Sequence, residues 1–152
     1  MQRSRTQSAV LVLAGFGTLV AAYLTWIHFN SGSLVCGLGD CHTVQSSAYA
    51  TIGPVPVAAL GLGMYLLVLI ANVLAARGVV APELAWSVAF ATLLAGLIYA
   101  IYLTWLEVVV IQAICQWCVV SALITALLTL SQGILVWESV FHSPAGKGGE
   151  TR

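Results

Sequence analysis

The sequence predicts an all-α membrane protein, a bundle of four transmembrane helices with both termini on the cytoplasmic side. Three observations carry that reading. Of 152 residues, 61% are hydrophobic and only 7% are charged, whereas soluble domains carry roughly 25% charged residues. A water-facing surface cannot be built from this set. The apolar residues gather into four runs, each long enough at about 1.5 Å per residue to cross a hydrocarbon core of roughly 30 Å. The five basic residues all fall at the termini or in one turn. Formal net charge is zero and no basic cluster occurs, so nothing points to nucleic acid.

Residues 1–7 are polar and carry Arg3 and Arg5; residues 8–29 then run without an acid, Lys or Arg and form the first span. That run exceeds the apolar region of about 7–15 residues in a cleaved signal peptide, so the segment is expected to stay as a helix. Asn30 to Pro54 is the one long polar stretch and holds Cys36, Cys41, His42, Ser46 and Ser47. Gly32, Gly37 and Gly39 argue for a loop around the first cysteine, and residues 44–50 suit a short interfacial helix. Gly53-Pro54-Val55-Pro56 stops that helix and starts the second span, about 55–76, with proline in its first turn.

Residues 77–83, from Arg77-Gly78 to Pro82-Glu83, make a short turn, so spans two and three are antiparallel neighbours. The third run, Leu84 to Ile114, is longer than a crossing needs. Its span is about 84–113, and it must tilt, break or project beyond the hydrocarbon. The fourth span is about 118–140, and residues 143–152 form a polar, Gly-containing tail read as disordered. Residues 1–152 are thus one membrane domain. Arg3, Arg5, Arg77, Lys147 and Arg152 share one side, which the positive-inside rule makes cytoplasmic. Both cysteine pairs then lie at the opposite face, periplasmic, extracellular or luminal, where disulfides persist. Tyr23-Leu24-Thr25-Trp26 recurs as Tyr102-Leu103-Thr104-Trp105, and the same offset of 79 maps Cys36 onto Cys115.

The four cysteines are Cys36 with Cys41 in the polar stretch, and Cys115 with Cys118 in Cys115-Gln116-Trp117-Cys118 ahead of the fourth span. Four chemistries are open to them. They can pack as small apolar residues, hold a four-cysteine zinc ion, form two static disulfides, or exchange electrons between pairs. Two close pairs on one face disfavour the first, and an oxidising membrane edge disfavours the second. C-x-x-C at a helix start favours exchange, because the helix N-terminus lowers thiol pKa there.

Cys36, Cys41, then His42-Thr43-Val44-Gln45-Ser46-Ser47, then Pro56 and Gly61, and finally Cys115-Gln116-Trp117-Cys118 together resemble the vitamin K epoxide reductase family across about residues 8–138. The resemblance implies a four-helix bundle around a quinone pocket and a quinone-dependent thiol–disulfide oxidoreductase. The implied partner is a thioredoxin-like, DsbA-like protein, separate because no such domain is fused in these 152 residues. By resemblance, Cys36 meets the partner, Cys41 forms a transient disulfide with Cys115, and Cys118 stands nearest the quinone. Ser47 corresponds to a serine at the pocket. Val57 and Ala122 stand where the animal enzymes carry an asparagine and a tyrosine, which favours a plain respiratory quinone over vitamin K epoxide. The electron acceptor is a quinone of the menaquinone, ubiquinone or vitamin K type, and no metal is expected. The expected location is the bacterial inner membrane, with the active face periplasmic or extracellular.

Glu107 is an acid inside the third apolar run. Ionisable residues inside membranes are functional candidates, here at the substrate and in proton relay; a carboxylate hydrated at the outer interface is the plainer alternative. Trp26, Trp105 and Trp117 read as interface anchors, and Trp117 also as a cover for the quinone ring. His42 can lower the pKa of Cys41 or have no role. Cys118, Ser121, Thr125 and Thr129 follow helical spacing, which suits close helix packing. A non-enzymatic tetraspan scaffold or metal-binding protein with structural cysteines is the rival reading; it predicts no redox change and no quinone requirement.

Overall fold

The computed structural model describes residues 2–30, 35–37 and 39–141. Gly32 and the tail at 143–152, with Lys147 and Arg152, lie outside the described residues. In chain order the elements are α1 (Gln2–Asn30), α2 (Cys41–Gln45), a single 3₁₀ turn (Ala48–Ala50), β1 (Thr51–Ile52), β2 (Val55–Pro56), α3 (Val57–Ala76), α4 (Pro82–Trp105), a π-helical turn (Leu106–Ile111) and α5 (Gln116–Phe141). Among the described residues four segments are long and apolar enough to cross a membrane: Arg5–Asn30, Val57–Ala76, Pro82–Ile111 and Gln116–Phe141. Helices suit that solvent because each satisfies its own backbone polar groups.

α1 packs on α3 and α5, and α4 packs on the same two helices. The bundle is therefore a square in which α1 faces α4 and α3 faces α5 across the centre. Val10 and Ala14 of α1, Val68 of α3, Ala89 and Leu93 of α4, and Leu128 and Leu135 of α5 fill it with no exposed surface. At its midpoint lies Tyr65 of α3, whose hydroxyl joins the Ser121 carbonyl (2.9 Å), the Ser121 hydroxyl (2.9 Å) and the Thr125 hydroxyl (2.8 Å) of α5. The Tyr65 ring fills the notch left by Gly17, where a Cβ would stand 2.6 Å from Cε1. The spaced hydroxyls of α5 are thus fastened to the helix opposite.

Several boundaries differ from expectation. The interfacial helix starts at Cys41 rather than Val44, because the Asp40 carboxylate accepts the Thr43 N–H (3.0 Å) and caps it. Thr51–Ile52 and Val55–Pro56 form a minimal antiparallel hairpin about Gly53-Pro54, so α3 begins at Val57. Pro56 precedes that helix, where its missing N–H leaves no bond unmade. The long third run breaks: α4 ends at Trp105, a π turn follows, and Gln112 takes a left-handed conformation (φ 57°) before an extended link to α5. α5 starts at Gln116, two residues earlier than expected. In both copies of Tyr-Leu-Thr-Trp the threonine hydroxyl bonds the carbonyl four residues back (2.7 and 2.9 Å), and Trp26 and Trp105 both point outward.

Candidate functional site

The polar stretch folds back over the end of the bundle where α5 begins. Val35 is gripped from two sides: its N–H meets the Tyr23 hydroxyl of α1 (3.4 Å), and its carbonyl accepts the Trp117 indole N–H (2.9 Å). Further on, Gly39 pairs antiparallel with Cys115, and the Asp40 N–H donates to the Ile114 carbonyl (3.0 Å). Gly39 has φ +82°, and a Cβ there would collide with the Ile114 carbonyl oxygen. Only glycine meets both requirements. The loop segment carrying the first cysteine pair is therefore laid directly against the link that carries Cys115.

Cys36 and Cys41 are joined as a disulfide, with Cα atoms 6.1 Å apart, while Cys115 and Cys118 are free thiols. Cys41, at the start of α2, is fully buried and packs in one cluster with Val44 and Cys115; Cys36, Trp117 and Cys118 border it. Cys36 stays half-buried. The four cysteines thus run from a loop position with outward access, through two enclosed sulfurs, to Cys118 in the first turn of α5.

Cys115 sits at the N-terminal boundary of α5, with its carbonyl accepting the Val119 N–H (3.1 Å). The Cys118 thiol donates to the Cys115 sulfur and holds the Cys115 thiol below its ordinary range. The N–H groups of Cys118 and Trp117 add to this, while burial and the negative charge of Glu107 oppose it. A sulfur at a helix N-terminus gains thiolate character in this way. Glu107 is 4% exposed, and its Oε2 accepts the Cys115 N–H at 3.0 Å. It therefore faces the cavity and the C-x-x-C turn and not the outer surface. The π turn brings it inward, since one residue wider than an α turn shifts the facing of those after Trp105. At Asp40, the Thr43 hydroxyl and then the Thr43 N–H hold the carboxyl below its ordinary value.

A cavity of about 300 Å³ opens beneath these residues, at the lower end of the range of ligand pockets. Cys118, Glu107 and Ser47 line it; so do Val57 and Ala122. Cys115 is not on its wall. The Ser47 hydroxyl proton is engaged by the Val44 carbonyl (2.7 Å), which leaves its oxygen as an acceptor. Trp117 is not a lining residue: its indole holds Val35 and its ring packs on Tyr23 (centroids 5.4 Å), so it braces the loop. His42 is exposed beside Asp40. Tyr49, Tyr99 and Gln45 also line the cavity, and sequence reading passed over them. Tyr99 stands eight residues before Glu107 on the same helical run, a spacing close to two turns, which is the signal that would have found it.

The described residues form a four-helix membrane bundle with a bonded loop pair, a free C-x-x-C pair beside it and a largely apolar cavity under the second pair, an arrangement suited to thiol–disulfide exchange. Residues 8–132 match the model of the vitamin K epoxide reductase family. The chain belongs to that family.

Proposed function

We propose that the protein reoxidises a separate thioredoxin-like, DsbA-like dithiol protein and reduces a quinone at the outer face of a bacterial inner membrane. The partner's thiols reduce the Cys36–Cys41 disulfide. The loop pair passes two electrons on through a Cys41–Cys115 disulfide, which reduces the C-x-x-C pair. Cys118 then delivers the electrons to the quinone, which takes up two protons as hydroquinone, and Cys115–Cys118 closes as a disulfide. Ser47 and Glu107 contact the quinone, and Trp117 serves it indirectly by fixing the loop. Val57 and Ala122 on the cavity wall offer no hydrogen bond, which suits a respiratory quinone rather than vitamin K epoxide. The charge asymmetry of the sequence supports the orientation.

The observation that carries this reading is the shared burial of Cys41 and Cys115 in one cluster, with Cys118 beyond them on the cavity wall. A sulfur relay requires such adjacency, whereas two independent structural disulfides do not. The test is mass-spectrometric mapping of disulfides in the purified, lipid-reconstituted protein before and after a quinone is added to the fully reduced form. Quinone-dependent appearance of Cys115–Cys118 is expected. A pairing pattern that quinone leaves unchanged refutes the proposal.

A further inference from the structure

Glu107 presents a problem that folding does not solve. It is buried within a membrane bundle, and among the described residues lining its cavity there is no Lys, Arg or His. A buried charge without a countercharge is far more costly than a neutral polar group. Its one bond to the backbone, from the Cys115 N–H, would be made equally well by the amide oxygen of a glutamine. What a glutamine cannot do is accept a proton. The carboxylate also shares the cavity wall with Cys118, and its bond to the Cys115 N–H ties it to the same C-x-x-C turn.

Resting on the reading of this cavity as a quinone site, we infer that Glu107 is the proton acceptor for Cys118: it takes the thiol proton as that sulfur adds to the quinone ring, and returns it to a quinone oxygen. Two groups beside Cys118 can take its proton, the Cys115 sulfur packed in the same cluster and Glu107 on the same cavity wall. Transfer to Cys115 would neutralise the sulfur that must later close the disulfide. Transfer to Glu107 leaves both sulfurs competent, and that asymmetry selects the carboxylate.

The step balances as follows. Cys118 sulfur forms a C–S bond to the ring while its proton moves to Glu107, which passes it to a ring oxygen only as that C–S bond later breaks. Cys115 thiolate attacks the Cys118 sulfur, the S–S bond forms, and the C–S bond breaks with its electron pair going to the ring. The second ring oxygen takes a proton from water. One thiolate, one thiol, one quinone and one proton become one disulfide and one hydroquinone. The titratable groups facing Glu107 are Cys115 and Cys118, with Tyr49 and Tyr99 elsewhere on the wall; α1 and α3 bring none to it.

The test uses the full chain in lipid discs, fully reduced and mixed without oxygen with 2-methyl-1,4-naphthoquinone. Glu107→Gln should slow hydroquinone formation by about 100-fold or more, the range for loss of a general base, while Glu107→Asp stays within about tenfold of wild type. Without quinone, the pH midpoint for iodoacetamide alkylation of Cys115 should fall in Glu107→Gln, because a nearby negative charge is gone, and hold in Glu107→Asp. Cys115→Ala mixed with quinone should trap the adduct and show the infrared carbonyl band of a protonated carboxyl, a readout that needs no change at 107. Wild-type rate in Glu107→Gln, an unmoved midpoint, or absence of that band overturns the inference. If the wild type itself reduces no quinone, the cavity reading falls instead, and the alkylation midpoint alone decides whether Glu107 acts on the thiols.

Discussion

Replacing Gly39 with alanine should disconnect the loop pair from Cys115 without touching any cysteine. Gly39 occupies the left-handed region (φ +82°), and its backbone pairs with Cys115 so closely that an added Cβ overlaps the Ile114 carbonyl oxygen. A non-glycine residue in the left-handed region costs about 1–2 kcal/mol. Moving the strand away to relieve the overlap also gives up the bond from Asp40 N–H to Ile114, a net loss of about 1 kcal/mol. The sum, about 2–3 kcal/mol, lowers the docked population roughly 30- to 150-fold at tenfold per 1.4 kcal/mol. The assay uses a Cys118→Ala background, in which Cys115 attacks the Cys41 sulfur, forms Cys41–Cys115 and releases Cys36. The rate of that disulfide, followed by non-reducing peptide maps and by labelling of the freed Cys36, should drop at least tenfold in Gly39→Ala. Cross-pair formation at the parent rate would show that the backbone pairing is not what brings the two sulfurs together.

Three further outcomes are expected. Gly17→Ala drives a methyl group into the Tyr65 ring, which its three α5 contacts prevent from retreating; thermal unfolding in detergent should register a loss of about 1–3 kcal/mol, and an unchanged midpoint would mean that the ring can move. Cys118→Ala removes the donor that lowers the Cys115 pKa. Its alkylation midpoint should therefore rise, so that at fixed neutral pH less thiolate is present and alkylation slows; a fall instead would assign the lowering to the helix N-terminus alone. In intact cells, a membrane-impermeant thiol reagent should label reduced Cys36 and spare a cysteine placed at position 77, with outside labelling of position 77 reversing the orientation.

The spans were legible because a membrane imposes one rule on them, uninterrupted apolar length, and length can be counted. The cysteines were legible because their spacing ties them to helix ends. What escaped were features decided by local backbone geometry. The start of α2 at Cys41 depends on Asp40 reaching Thr43, an option open to any Asp three residues before a Thr. That the third run could break followed from its length, but the position after Trp105 did not, because Leu106 to Ile111 carries no Gly or Pro to mark it. Trp117 illustrates a different gap: an aromatic beside a reactive cysteine suits both covering a ligand and bracing a loop. Only the direction of its indole N–H, toward Val35, separates the two.

That break after Trp105 also explains how a rigid pair and an approachable pair share one end of the bundle. Had α4 continued as an α-helix to Ile114, the backbone there would be coiled and would present no strand-like edge to Gly39-Asp40. The π turn and left-handed Gln112 instead end the helix early and leave residues 113–115 extended. An extended segment has a free edge, and Gly39-Asp40 takes it. Glu107 belongs to the same distortion: its carbonyl accepts the N–H groups of Gln112 and Ala113 that close the turn, while its carboxylate turns back to the Cys115 N–H. One local departure from α geometry thus supplies both the docking edge for the loop disulfide and the buried carboxylate beside the thiols. A change that restored regular helix there would remove both together, so the two are expected to be lost in the same variants rather than separately.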